Sequence, residues 1–224
     1  MAEKIGVVIV GTGLIARFHA NAVKASRKLR LVACVDIDKG RADKFAAEYG
    51  CTAPDGLDAA LAREDVGMVS VATPSGAHDE AVLAAARHRV PVLVEKPLAI
   101  TSERCDKLIA ACAETGTPLG GIFQTRFSAD FEKAKAAVSS GELGRITFAR
   151  IDVPWWREDS YYAGTWHGTK KMDGGGALIN QAIHMVDWLV ELMPPIVDVK
   201  AFTATLAHPM ETEDTAAAVI RFED

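Results

Sequence analysis

Long apolar runs are missing from this 224-residue chain, and no stretch approaches the roughly 20 residues that a membrane-spanning helix needs. An excess of positive charge is missing as well. Lys and Arg number 25 against 30 Asp and Glu, a formal net charge of −5, which argues against nucleic acid as the main partner because phosphate backbones select basic surfaces. The four cysteines form no C-x-x-C pair and no Cys/His cluster at zinc spacing, so no metal site is expected. Cys105 and Cys112 sit two helical turns apart, roughly 10 Å by helical rise, which is too far for a disulfide. With Cys34 and Cys51 in or beside strands, all four read as small buried hydrophobes. Repeats and low-complexity linkers are absent. The opening MAEKIGVVIV enters a strand without the plan of a secretory leader. These absences point to a cytoplasmic protein with no membrane partner. Its 49% hydrophobic and 25% charged residues suit one large globular domain or two modest ones.

What is present alternates. Nearly continuous apolar runs at residues 5–10, 30–35, 66–72, 91–95 and 118–123 predict strands covered on both faces. Between them, residues 14–26, 39–49, 57–63, 77–89 and 102–115 have helical character, the last with Thr101 and Ser102 able to cap it and Glu103 in its first turn. Such alternation predicts an α/β fold, a doubly wound parallel sheet. The second half differs. A helix over residues 129–140, a strand over 145–153, an aromatic loop over 154–173, one long helix over 174–193 and strands over 197–206 and 215–222 predict an α+β domain with an antiparallel sheet. The expected domains are residues 1–124 and 125–224. The second is expected to be incomplete at its C-terminal side, since the last strand runs to the final residue as an exposed edge.

GTGLIARFHA, residues 11–20, joins the first strand to the first helix. Two glycines there can simply turn a corner. They also fit the G-x-G-x-x-G/A cradle, in which Gly11, Thr12, Gly13, Leu14 and Ile15 wrap a pyrophosphate at the helix N-terminus and Ala16 keeps helix and strand close. Asp36, at the end of the second strand and twenty residues after Ala16, is placed to accept hydrogen bonds from ribose hydroxyls. The strand, glycines, helix and acid in register make this a Rossmann dinucleotide site. Asp36 favours NAD over NADP, although Lys39 and Arg41 just beyond it could pair with a 2′-phosphate, so NADP stays possible.

Chemistry needs further groups. Glu95 and Lys96 end the fourth strand, at the edge where doubly wound sheets bind ligands. The plainer reading is a surface ion pair. In GGGALINQAIHMVD, residues 174–187, Asn180, His184 and Asp187 share one helix face, while Leu178, Ile179, Ala182, Val186 and Leu189 form an opposite face expected to be core. The three glycines would admit a second backbone or a ligand. The loop before them, WWREDSYYAGTWHGTKK, is rich in aromatics. Tyr162, Trp166 and His167 suit a sugar face, or else anchor the loop. Gln124 and Arg126, at the domain boundary, complete the candidates as a cofactor-side and a substrate-side residue.

GTGLIARFHA, the segment ATPSGAHDEAVLAAARHRVPVLVEKPLA and the helix DGGGALINQAIHMVD, in that order, resemble the Gfo/Idh/MocA oxidoreductases. The resemblance implies that Thr73, Pro74 and His78 line the cofactor cleft. It also implies that Glu95 and Lys96 approach the nicotinamide ribose and the reacting carbon, and that His184 is the acid/base beside a catalytic Lys96. Asn180 stands where many members carry Asp, which points toward members acting on nucleotide-linked sugars. His167 stands where Arg is expected. The implied function is an NAD(P)-dependent oxidoreductase transferring a hydride between nicotinamide and a secondary hydroxyl of a sugar, nucleotide-sugar or polyol, in a homo-dimer or homo-tetramer. The alternative is a non-catalytic dinucleotide-binding or redox-sensing paralogue. A methyltransferase built on the same glycine loop would leave the E-K-P strand end and the second-half helix without a role.

Overall fold

A computed structural model describes residues 3–223 of the chain. It divides into two compact units, one through Ile122 and one from Phe123.

The first unit is a five-stranded sheet in the order β2-β1-β3-β4-β5, every pairing parallel. Its strands are β1 (Ile5–Val10), β2 (Leu29–Val35), β3 (Met68–Val71), β4 (Val92–Val94) and β5 (Leu119–Gly121). Five helices connect them: α1 (Leu14–Ala25), α2 (Lys39–Tyr49), α3 (Leu57–Leu61), α4 (His78–His88) and α5 (Ser102–Thr115). The apolar strands bury both faces. Val8 and Val10 of β1 join a core with β3, β4, α4 and α5, whereas Val7 and Ile9 join a second core with α1 and α2. Local chemistry sets the helix ends. Asp38 accepts from Arg41 N at 3.1 Å to cap α2, and Thr101 accepts from Arg104 N at 3.3 Å to cap α5.

Register places the site. Val35, Val10, Val71 and Val94 stand level across β2, β1, β3 and β4. Asp36, Gly11, Ala72 and Glu95 therefore leave the sheet at one edge. The chain order reverses between β1 and β3, which makes this the crevice edge of a doubly wound sheet.

The second unit contains α6 (Ala129–Ser139), the short α7 (Asp159–Tyr162), a π-helical turn (Ala177–Ala182), α8 (Ile183–Leu192), and an antiparallel pair, β6 (Ile196–Ala204) with β7 (Thr215–Phe222). Three expectations are corrected here. Residues 145–153 are not a strand. They are largely exposed and pair with no strand among the described residues, and a pleated segment without a partner leaves its N–H and C=O groups unspent. Residues 174–193 are not one helix, since a π-helical turn precedes α8. The face expected to be core is not buried: Val186 is exposed while His184 and Asp187 point inward, because Asp187 is drawn into an ion pair described below. Cysteines also depart from expectation, with Cys34 and Cys112 buried but Cys51 and Cys105 only half-buried. No helix among the described residues is long and apolar enough to cross a membrane.

Gly6 shows how tightly the first unit is built. A Cβ there would collide with the carbonyl oxygen of Asp65, which sits on the segment leading into β3. Gly6→Ala should therefore cost about 3 kcal/mol and lower the thermal midpoint of this unit by several degrees, measured by circular dichroism.

Candidate active site

The turn after β1 uses its two glycines differently. Gly11 has φ +86°, and a Cβ on it would lie 2.8 Å from the carbonyl oxygen of Ala72, so the chain itself demands glycine there. Gly13 has φ −73°, which any residue adopts, and a Cβ on it would meet nothing within 4 Å. It is the N-cap of α1 and leaves that helix end without a side-chain cap. Open space before uncapped N–H groups is what a pyrophosphate requires. Leu14 and Ile15 follow on the exposed first turn.

Asp36 is the electrostatic centre of this edge. Its Oδ2 accepts from Thr12 N at 2.8 Å and from Thr12 Oγ1 at 2.7 Å. Its Oδ1 accepts from Asp38 N at 2.9 Å and from Arg41 Nη2 at 2.6 Å. The side chain is only 5% exposed. Burial alone would raise its pKa, but the Asp38 N–H, the Arg41 guanidinium and both Thr12 donors outweigh that and hold it at about 2. Lys39 is turned elsewhere, donating to Asp43 Oδ1 and Ala53 O. The next residue, Ile37, is 98% exposed, an apolar side chain standing in solvent beside the carboxylate.

Across β1, Glu95 ends β4. Its Oε2 accepts from Lys96 N at 3.1 Å, and half-buried Lys96 follows it. Thr73 and Pro74 form the loop after β3, and Thr73 Oγ1 is buried without a hydrogen-bond partner among the described residues. That orphaned hydroxyl and the open end of α1 are two features that a bound dinucleotide would satisfy. His78 is fully buried. Its Nδ1 lies 3.0 Å from Pro97 O and its Nε2 3.0 Å from Thr73 O, so the ring is wedged between the loop after β3 and the loop after β4, and its single N–H can donate to only one of these carbonyls. Burial, the largest influence, keeps its pKa below the usual histidine value despite these carbonyls.

In the second unit, His184 is 8% exposed, and its ring meets Phe123 edge-on at 6.2 Å. Asn180 Nδ2 donates to both oxygens of Asp173, at 2.8 and 2.9 Å. Asp173, 1% exposed, also accepts from Gly168 N at 2.8 Å. Asp187 does not turn to the imidazole: Arg126 Nε donates to its Oδ2 at 2.7 Å, and Arg126 also pairs with Glu191 at 2.9 Å. These two candidates therefore neutralise each other within the unit. Gln124 and Arg126 lie on a 3₁₀ turn, Gln124–Phe127. Within the glycine run, Gly176 makes room for a second backbone segment. A Cβ on Gly176 would collide with Glu213 O, while Gly176 N and Leu178 N donate to the Glu213 carboxylate. In the aromatic loop, Trp166 stacks on His167 at 4.0 Å, and Tyr162 packs on His208 at 4.9 Å. His208 Nε2 lies 2.8 Å from Arg157 O, so Tyr162 belongs to the loop's anchorage.

Sequence reasoning passed over Ile37, Asp173 and His19. An apolar residue between two acids at a strand end signals the first. An Asp directly before three glycines signals the second. His19 lies inside the quoted turn-helix motif, and only the structure shows where it reaches.

Residues 5–121 match the family model described as an oxidoreductase family with an NAD-binding Rossmann fold, and residues 131–224 match the GFO/IDH/MocA C-terminal domain. The chain is 31% identical over 191 residues to the 2,7-anhydro-N-acetylneuraminate hydratase of Mediterraneibacter gnavus, covering 85% of this chain and 50% of that protein. It is 32% identical over 194 residues to the D-glucoside 3-dehydrogenase of Escherichia coli, covering 83% and 53%. Among solved structures, the WlbA dehydrogenase from Bordetella pertussis, in complex with NADH and UDP-GlcNAcA, superposes with a TM-score of 0.94 at 34% identity, over 99% of this chain and 64% of that one. The chain thus spans about half the length of the curated relatives it matches.

Asp36 makes a pH prediction. A carboxylate with pKa about 2 when folded, against about 3.9 unfolded, contributes about 2 kcal/mol that is fully present above about pH 5. That contribution is lost as pH falls toward 2. The stability gap between the wild type and Asp36→Asn, followed by thermal melts, should be constant above about pH 5 and close progressively below it, most of it lost by about pH 2.

Proposed function

The chain belongs to the Gfo/Idh/MocA oxidoreductase family, and on that premise we propose an NAD-dependent dehydrogenase acting on a secondary hydroxyl of a sugar, nucleotide-linked sugar or polyol. The observation that carries the reading is the open end of α1 at Gly13, level with a buried carboxylate at Asp36. Gly11, Thr12, Gly13, Leu14 and Ile15 would take the pyrophosphate, Asp36 the adenosine ribose and Ile37 one face of the adenine. Thr73, Pro74, Glu95, Lys96 and Gln124 would serve the nicotinamide end, with His78 holding the wall from behind. Bound NAD supplies the hydride acceptor. His184 accepts the hydroxyl proton on a ring nitrogen, and the Lys96 ammonium stabilises negative charge developing on the oxygen. Asn180, oriented by Asp173, holds a neighbouring hydroxyl. Trp166 and His167 offer stacked faces to the ring's C–H groups. Arg126 and Asp187 act as a pair that fixes α8 against the 3₁₀ turn.

The names of the relatives support the substrate class, a glucoside in one and a UDP-linked sugar in another. Hydride transfer distinguishes this reading from the hydration named for the M. gnavus relative. A cytoplasmic setting is consistent with four free thiols. A homo-dimer or homo-tetramer is consistent with the exposed apolar side chains Val199, Phe202 and Val219 on β6 and β7.

A panel of sugars, nucleotide sugars and polyols, followed at the absorbance of reduced nicotinamide, should yield one class that turns over to a ketone. On that substrate Lys96→Ala and His184→Ala should each lower kcat by about a hundredfold or more, with thermal midpoints near wild type. Turnover within a few fold of wild type in either variant would remove that residue from the mechanism.

A further inference from the structure

His19, in the turn-helix motif, reaches from α1 across to the sheet. It lies in the second turn of α1, but its Nδ1 is 2.7 Å from the Ser70 hydroxyl on β3, and its Nε2 is 2.8 Å from Glu95 Oε1 at the end of β4. The imidazole is 11% exposed and the Glu95 side chain 18%. Ionised Glu95 only accepts hydrogen bonds, so the proton is assigned to Nε2, and Nδ1 accepts from the Ser70 O–H. A neutral imidazole thereby satisfies both neighbours. Glu95 is held at both ends, Oε1 by the imidazole and Oε2 by the N–H of Lys96. Burial would raise the Glu95 pKa, and the bond from His19 is the strongest influence bringing it back below the usual value.

We propose that His19, backed by Ser70, is a positioning residue that fixes the Glu95 carboxylate, and through it the backbone of Lys96, at the nicotinamide half of the cofactor cleft. The inference rests on the reading that the first unit binds NAD(H). Two arguments carry it. Without His19, Glu95 Oε1 keeps its shelter but loses its donor, and a sheltered carboxylate without a donor swings out or takes up a proton. The loss is also local. The groups that His19 holds are on β3 and β4, whereas Asp36 and Thr12 serve the adenosine half from β2 and the β1–α1 turn. One end of the ligand should feel the substitution and the other should not.

The test is a pair of titrations on the whole chain, NADH by its fluorescence and ADP, which lacks the nicotinamide and its ribose, by calorimetry. His19→Ala should weaken NADH about tenfold, the effect of one charge-assisted hydrogen bond, and leave ADP within twofold. His19→Gln, which keeps an N–H donor toward Glu95, should recover most of the NADH affinity. Ser70→Ala should give a smaller loss with the same selectivity. Equal weakening of both ligands by His19→Ala would reduce the residue to general scaffolding and overturn the proposal, as would unchanged NADH affinity. A wild-type chain that binds neither ligand would instead contradict the dehydrogenase reading itself.

Discussion

The cofactor edge of the first unit depends on the register of four parallel strands. Val35, Val10, Val71 and Val94 are level, so the residues that follow them emerge side by side, although 84 positions separate Gly11 from Glu95 in the chain. The hydrophobic cores on the two faces hold that register, because a slip of one residue would exchange the side chains of Val8 and Val10 with those of Val7 and Ile9. Gly11 then makes the turn that only glycine tolerates against Ala72, and the open end of α1 follows. The buried carboxylate of Asp36 is tolerated because five donors from Thr12, Asp38 and Arg41 surround it. The electrostatics of the edge are consequences of strand register.

The sequence was most legible where one physical rule acted alone. In the first unit the apolar runs had nowhere to go but a buried sheet, and α5 begins behind its expected cap, Thr101. The second unit was harder because competing demands met there. Residues 145–153 have strand composition but no partner to accept their hydrogen bonds. The helix over 174–193 has an apolar face, yet the ion pair of Asp187 with Arg126 and the packing of His184 on Phe123 turn the polar stripe inward. Asp187 and His184 share a stripe by spacing, which says nothing of a guanidinium 61 residues away that claims the carboxylate.

Much of what reads as functional in a motif proves to be architecture one layer behind the site. His78 is wedged between two loops, Gly176 makes room for Glu213, and Tyr162 packs on His208. Conversely, a Cβ on Gly13 would meet nothing within 4 Å among the described residues, so space rather than packing distinguishes that position.

The central claim is that the β2 edge selects a dinucleotide without a 2′-phosphate. The most direct measurement compares the affinity of the chain for NADH and NADPH in parallel fluorescence titrations. The account predicts saturable NADH binding, with NADPH weaker by about tenfold or more because a 2′-phosphate would approach the ionised Asp36. NADPH binding as tight as NADH, with Arg41 released from Asp36 to take the phosphate, or no binding of either, would contradict it.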